Sequence, residues 1–253
     1  MNPVLLARYR AILCDLDGCL VSGETVLPGA RAFVEGAGAR LMVLSNNSTD
    51  TSVSLSARLA RGGLAVAPAR MVLAGVAAVE LVAGRAPGAR VFVCGSGATV
   101  AYAAKCGLQA DEITPEYVIL TRDTGFTYGR LQAVLGYLTR GARLVVANAD
   151  STHPGVAHDG IGGVPVPETG ALLAAVLECL PGQGFEVIGK PEPGLFQVAL
   201  ERLGVAPGEA VLVGDNPVTD GAGAKAAGVD FILVGEGAGA RYRDLAALVA
   251  SGA

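Results

Sequence analysis

The chain has 253 residues, 51% of them hydrophobic, and a formal net charge of −4. That length holds one large domain or a core with an insert, and the composition is apolar enough to bury a sizeable core. The acidic balance leaves no basic footprint for nucleic acid or an anionic membrane, and no uninterrupted apolar stretch reaches the length of a membrane span.

Apolar strands alternate with amphipathic helices along the chain, which predicts a parallel α/β sheet. The first strand, Ala11–Cys14, ends in Asp15-Leu16-Asp17-Gly18. Two carboxylates one residue apart repel each other, and a divalent cation or a proton held on one of them relieves that repulsion. As a pair they supply a nucleophile and an acid/base. An ordinary Asp-Gly turn after a strand reads the same way in isolation. A helix is expected over Gly29–Gly36, then a strand over Leu41–Leu44 that runs into Ser45-Asn46-Asn47-Ser48-Thr49. One of Ser48, Thr49 or Asp50 caps the helix expected over Thr51–Gly62.

A helix follows at Ala69–Ala83, then a strand at Val91–Cys94. The segment Gly95-Ser96-Gly97 lacks the third glycine of a dinucleotide fingerprint and is a tight strand-to-helix turn. Next come a helix at Ala98–Cys106, a strand at Tyr117–Leu120, a helix at Tyr128–Thr139 and a strand at Leu144–Ala147. Arg122, Asp123, Phe126 and Tyr128 follow the first of these strand ends, and Asn148 and Asp150 the second. A helix at Gly170–Leu180 precedes a strand at Glu186–Ile188, which delivers Gly189-Lys190-Pro191. The last elements are a helix at Gly194–Leu203, a strand at Ala210–Val213 ending in Gly214-Asp215-Asn216 with Thr219-Asp220 beyond, a helix at Gly221–Ala227 and a strand at Phe231–Val234. Glycines at 62–63, 107, 141, 204 and 228 read as helix stops.

The set D-x-D-G, S-N-N-S-T, G-K-P and G-D-x-x-x-T-D, in that order, resembles the four motifs of the haloacid dehalogenase (HAD) superfamily. With Leu27-Pro28-Gly29-Ala30, Phe126-Thr127-Tyr128 and Asn148-x-Asp150, the chain is similar to class IIA, the NagD-like and 4-nitrophenylphosphatase-like phosphatases, over essentially its whole length. The resemblance implies a Rossmann-like core with a parallel sheet. Asp17 to Ser45 leaves room for one helix only, whereas Ser45 to Lys190 is far more than one βα unit needs. An α/β cap of the family's C2 type is therefore expected at 84–180, with the core at 1–83 and 181–253. The Pro/Gly-rich joints Arg85–Gly88 and Pro181–Gly184 are its expected hinges.

The function implied is a Mg²⁺-dependent phosphatase that hydrolyses small phosphomonoesters through an aspartyl-phosphate. Asp15 is the expected nucleophile, and Asp17 is the general acid and then base. Ser45 and Asn46 hold phosphate oxygens, and Lys190 neutralises charge on Asp15 and the phosphate. By resemblance the metal ligands are Asp15, the backbone carbonyl of Asp17, and Asp215, with Asn216 and Asp220 placing waters or Lys190 behind them. Asp123, Tyr128, Asn148 and Asp150 are the expected substrate-selecting residues of the cap. His153 and His158, the two histidines, lie in the Gly/Pro-rich stretch Asp150–Glu168, from which they are expected to reach the leaving group too. The competing function is a non-catalytic phosphometabolite-binding protein on the same fold, which loss of Asp15 or Asp17 would signal; both are present.

The expected partner is a small phosphorylated metabolite, with no nucleic acid and no membrane; a homodimer is left open. Residues 1–10 carry Arg8 and Arg10 but no signal-peptide core, so the expected compartment is the cytoplasm. Five cysteines without a C-x-x-C argue against a disulfide framework or a zinc site. Cys19, two residues past Asp17, is read as a buried apolar filler.

Overall fold

The computed structural model describes residues 6–153, 163–237 and 239–251, so His158 lies outside the described residues. In chain order the main elements are β1 (Ala11–Asp15), α1 (Ala30–Ala37), β2 (Leu41–Ser45), α2 (Ser52–Arg61), β3 (Met71–Leu73), α3 (Ala74–Arg85), β4 (Arg90–Cys94), α4 (Gly97–Lys105), β5 (Gln109–Ala110), β6 (Tyr117–Leu120), α5 (Tyr128–Thr139), β7 (Arg143–Val146), α6 (Thr169–Cys179), β8 (Phe185–Val187), α7 (Gly194–Leu203), β9 (Ala210–Gly214), α8 (Ala222–Ala227), β10 (Asp230–Leu233) and α9 (Leu245–Ala250).

Internal contacts divide the chain into two compact units. The first comprises residues 1–45, 52–72 and 190–253, and the second comprises 46–51 and 73–189. The first is built on a sheet in the order β10-β9-β1-β2-β3. β1 pairs in parallel with β9 on one side and β2 on the other. It is buried along its whole length, which is why Ala11–Cys14 reads as an unbroken apolar run. The chain runs outward from β1 in both directions. The carboxyl end of β1 is thus a topological switch point, where open α/β sheets bind ligands. Helix α7 packs on β1 and β2, and on α8.

The second unit has its own sheet in the order β8-β7-β6-β4-β5, parallel throughout. Its core packs Phe92, Val118, Leu120, Leu144 and Val146 of the sheet against Val134, Tyr137 and Leu138 of α5 and Leu173 and Val176 of α6. The rings of Phe92 and Tyr137 sit 5.1 Å apart in a tilted arrangement.

Three details differ from the sequence expectation. The single helix expected over Ala69–Ala83 is a 3₁₀ turn at Pro68–Arg70, the strand β3 and then α3. No turn residue separates strand from helix, and Leu73 enters α3 from an extended conformation without a side-chain cap. Residues 71–79 are buried throughout, so no helical period marks where one element becomes the other. The short strand β5 and the terminal helix α9 also form where none is expected. The second unit, finally, extends past 84–180: it takes in α3 from its start at Ala74, and β8, which pairs in parallel with β7. An Arg85–Glu186 ion pair ties the end of α3 to β8. The two Pro/Gly-rich joints therefore fall inside this unit.

Candidate active site

Asp15 closes β1 and is 8% exposed. The regular strand stops there. A tight turn follows, in which the N–H groups of Leu20 and Val21 both donate to the Leu16 carbonyl, and the Gly18 N–H donates to the Val21 carbonyl at 2.7 Å. The turn leaves Asp17 exposed while Asp15 stays buried, so the two carboxylates face different surroundings. Gly18 has φ +82°, and a Cβ there would lie 2.0 Å from Asp215 Oδ2. Only glycine lets this turn press against the carboxylate at the end of β9.

Lys190 is 2% exposed. Its Nζ donates to Asp15 Oδ1 at 2.5 Å, to Asp220 Oδ1 at 2.6 Å and to the Leu44 carbonyl at 3.4 Å. Asp220 sits in the π turn Pro217–Gly221 that follows β9. The Asn216 side chain caps this turn by accepting from the N–H groups of Val218 and Thr219. The main-chain N–H of Asn216 donates to Asp220 Oδ2 at 3.2 Å. Asn216 thus holds Asp220 in place, and Asp220 holds Lys190.

Carboxylate oxygens of Asp15, Asp215 and Asp220 lie within 4.8 Å of one another. One lysine faces all three. Burial pushes the Asp15 carboxyl up to about 8; Lys190 pulls against this, while Asp220 and Asp215 add to it. Burial and then Asp220 likewise raise Asp215. For Lys190, burial works to lower the value, and Asp15 and Asp220 overcome it and raise it. The cluster carries more negative charge than its one cation offsets, and its donors are hard carboxylate oxygens. It fits a divalent cation of the Mg²⁺ or Ca²⁺ kind.

Ser45, at the end of β2 and 2% exposed, stands next to β1, where Asp15 is in register with Leu44. Asn46 belongs by its contacts to the second unit. Its Nδ2 donates to Asp150 Oδ2 at 2.9 Å. The α2 region is preceded by an Asx-type turn in which Asn47 Oδ1 accepts from the N–H groups of Thr49 and Asp50, a cap the sequence expectation assigns to 48–50.

The four expected selecting residues part company. Tyr128 is 83% exposed and Asp150 is half-buried. Asn148 is fully buried, with Nδ2 donating to the Asn46 carbonyl at 2.8 Å. Asp123 is buried in an ion pair with Arg130 at 3.1 Å, and its Oδ1 accepts from the Gly125 N–H. Internal partners thus hold Asn148 and Asp123, which are far less exposed than Tyr128 and Asp150. Glu168, not singled out in sequence, brings Arg122 and His153 together in the same unit. Glu168 Oε1 is 2.7 Å from His153 Nδ1 and 3.5 Å from Arg122 Nη1. Burial raises Glu168, with Arg122 and His153 opposing. Long-range pairs of this kind leave no mark in local sequence.

Cys14 and Cys19 are buried, with their sulfurs 3.8 Å apart. The contact with Cys14, together with burial, holds the Cys19 thiol well above its usual range. It is a protonated filler of the turn.

Two family models match the chain. Haloacid dehalogenase-like hydrolase covers residues 12–109, and a HAD-hydrolase-like model covers 187–251. An acid sugar phosphatase of Staphylococcus aureus is 30% identical over 237 residues, 92% of this chain and 88% of its own. The ribonucleotide monophosphatase NagD of Escherichia coli is 28% identical over 228 residues, 89% of this chain and 87% of its own. The crystal structure of a glycerol phosphate phosphatase from Mycobacterium tuberculosis in complex with magnesium superposes with a TM-score of 0.81 at 29% identity, covering 91% of this chain and 69% of that one. The same phosphatase is also known in complex with calcium. The chain belongs to the haloacid dehalogenase superfamily, among its NagD-like class IIA phosphatases, and is a phosphoric monoester hydrolase. The fold, a parallel α/β sheet with a further α/β unit inserted in the chain, is that of the superfamily. Among the described residues, no helix is long and apolar enough to cross a membrane.

Proposed function

We propose that this chain hydrolyses small phosphomonoesters in two steps on Asp15, with Mg²⁺ as its cation. The observation that carries the reading is the buried Asp15–Lys190–Asp220 chain of hydrogen bonds with Asp215 beside it, at the switch point of the first sheet. Asp15 attacks phosphorus, the bond to the leaving oxygen breaks, and an aspartyl-phosphate forms. Asp17, exposed beyond the turn, gives its proton to that leaving oxygen. It then takes a proton from the water that attacks the aspartyl-phosphate, which regenerates Asp15 and releases inorganic phosphate. Lys190 offsets charge on Asp15 and on the phosphoryl oxygens, and Ser45 and Asn46 donate to those oxygens. Asp15, the Asp17 carbonyl and Asp215 would hold Mg²⁺, with Asn216 and Asp220 behind them. When bound, the cation supplies positive charge against the phosphoryl group.

The inserted unit selects the leaving group. Tyr128 and Asp150 keep accessible side chains for that task, and Arg122, His153 and Glu168 add donors and an acceptor. The relatives named above differ in the esters their names give, a nucleotide, a sugar phosphate and a glycerol phosphate, all small phosphomonoesters. This matches a common phosphoryl chemistry with a variable selector.

The test is turnover of an aryl phosphate and of a panel of metabolite phosphates, with Mg²⁺ and with a chelator. Wild type turns over only with the cation. Asp15→Asn loses turnover by more than about 10⁴-fold, because an amide is a poor nucleophile. Asp17→Asn loses about 10²–10⁴-fold, and less with the aryl ester, whose leaving oxygen needs little protonation. Turnover by Asp15→Asn within tenfold of wild type, in a preparation free of deamidation, would remove Asp15 from its role. Phosphate-ester binding without any turnover would favour a non-catalytic binding protein.

A further inference from the structure

Residues 46–51 continue directly from Ser45, yet the second unit holds their backbone. Four successive carbonyls accept hydrogen bonds from that unit. Asn46 O accepts from Asn148 Nδ2 at 2.8 Å, and Asn47 O from the Gly75 N–H at 3.2 Å. Ser48 O accepts from Thr99 Oγ1 at 3.4 Å, and Thr49 O from Ser96 Oγ at 2.7 Å. The Ser48 side chain is fixed as well. Its Oγ accepts from the Arg122 main-chain N–H at 3.0 Å and shares a 3.1 Å hydrogen bond with Thr169 Oγ1. Asn148 Nδ2 also lies 3.3 Å from Thr169 Oγ1 and 3.4 Å from Ser48 Oγ.

Ser48, Asn148 and Thr169 are all at most 1% exposed. A buried polar network of this kind is rigid only while every member is satisfied. Packing closes round it too. A Cβ on Gly75 would sit 2.8 Å from Ser48 Cα, and one on Gly189 would sit 2.7 Å from Asn46 Oδ1 and 2.9 Å from Asn148 Cβ. A peptide group is planar, so a carbonyl that is held fixes the direction of the following N–H. The donor that holds the Asn46 carbonyl therefore fixes the Asn46–Asn47 peptide plane, and so anchors the chain where it leaves Ser45 and Asn46.

We propose that Asn148, backed by Thr169 and Ser48, is a positioning residue for phosphoryl binding rather than a selector of substrates. It fixes the Asn46 main chain so that the donors of Ser45 and Asn46 keep their places. The inference rests on the reading that these two residues hold phosphoryl oxygens. Loss of the network then acts on the group common to every substrate.

The experiment uses the full chain with Mg²⁺ and three variants: Asn148→Asp, which keeps shape but loses the N–H donors, Thr169→Val and Thr169→Ser. Binding of inorganic phosphate is measured by calorimetry, and KM and kcat are measured over a panel of aryl and alkyl esters. In Asn148→Asp and Thr169→Val the phosphate dissociation constant and every KM rise in parallel by about tenfold, with kcat moving less and the order of substrates preserved. Thr169→Ser restores both. Wild-type phosphate affinity in Asn148→Asp overturns the inference. So does a reordered panel with phosphate affinity intact, which would make Asn148 a selector after all. Should Asn148→Asp fail to fold, the Thr169 pair decides, and equal behaviour of valine and serine there overturns the inference. A wild type that binds phosphate but hydrolyses no ester removes the phosphatase reading and leaves the positioning role to the binding arm.

Discussion

At the scale of single residues, the site is a problem of charge. Asp15, Asp215 and Asp220 crowd together, and Lys190 answers only part of their charge. Burial holds the Asp15 carboxyl near 8, against an ordinary 3.8. A group whose folded value is raised binds its proton more tightly folded than unfolded. Its contribution to stability is therefore complete below the unfolded value and is lost as pH rises toward about 8. If Asp15 holds the cation as proposed, a divalent cation binds the ionised form and reverses the loss. The expected outcome is a gap in melting temperature, between Mg²⁺-loaded and chelated protein, that widens steadily over that pH range. A gap independent of pH would show that Asp15 does not titrate in step with the cation.

At the scale of elements, the π turn after β9 does the local work. Asn216 caps it, and the turn presents Asp220 to Lys190. Asn216→Ala removes an N-cap and is expected to cost about 1 kcal/mol of stability, with Asn216→Asp close to wild type. Denaturant melts of the two variants check this, and equal melts would show that the side-chain cap contributes nothing. The same scale explains what was legible in sequence. Apolar runs that break into D-x-D-G, G-K-P and G-D are local patterns, so β1, β9, Asp15, Lys190, Asp215 and Asp220 could be read directly. The strand β3 could not, because it passes into α3 with no turn residue and no change in burial. For Asn148 and Asp123 the local pattern leaves the role open. A polar residue at a strand end looks the same whether it faces a ligand or an internal partner, and the partners of Asn148 at Asn46 and Thr169 are remote in sequence.

At the scale of the whole molecule, two sheets support two cores in one chain. The carboxylate cluster belongs to the first unit and Leu173 to the core of the second. Leu173→Ala is expected to cost about 2–5 kcal/mol within the second core, whereas the cation stabilises the first. Domains of this kind need not melt together. Scanning calorimetry should show the substitution lowering one transition and Mg²⁺ raising the other. A single transition moved equally by both would mean that the two cores unfold as one.

The backbone hydrogen bonds of residues 46–51 also constrain how modules of this kind are exchanged. A swap that moves residues 73–189 alone into a relative transplants Asn148, Thr169, Ser96 and Gly75 without the carbonyls and the Ser48 hydroxyl they hold. The recipient's own segment must then satisfy a buried donor set that it was not shaped for, at about 1–3 kcal/mol for each group left unpaired. The transferable module is discontinuous: residues 46–51 have to travel with it, although the chain on either side of them belongs to the other unit.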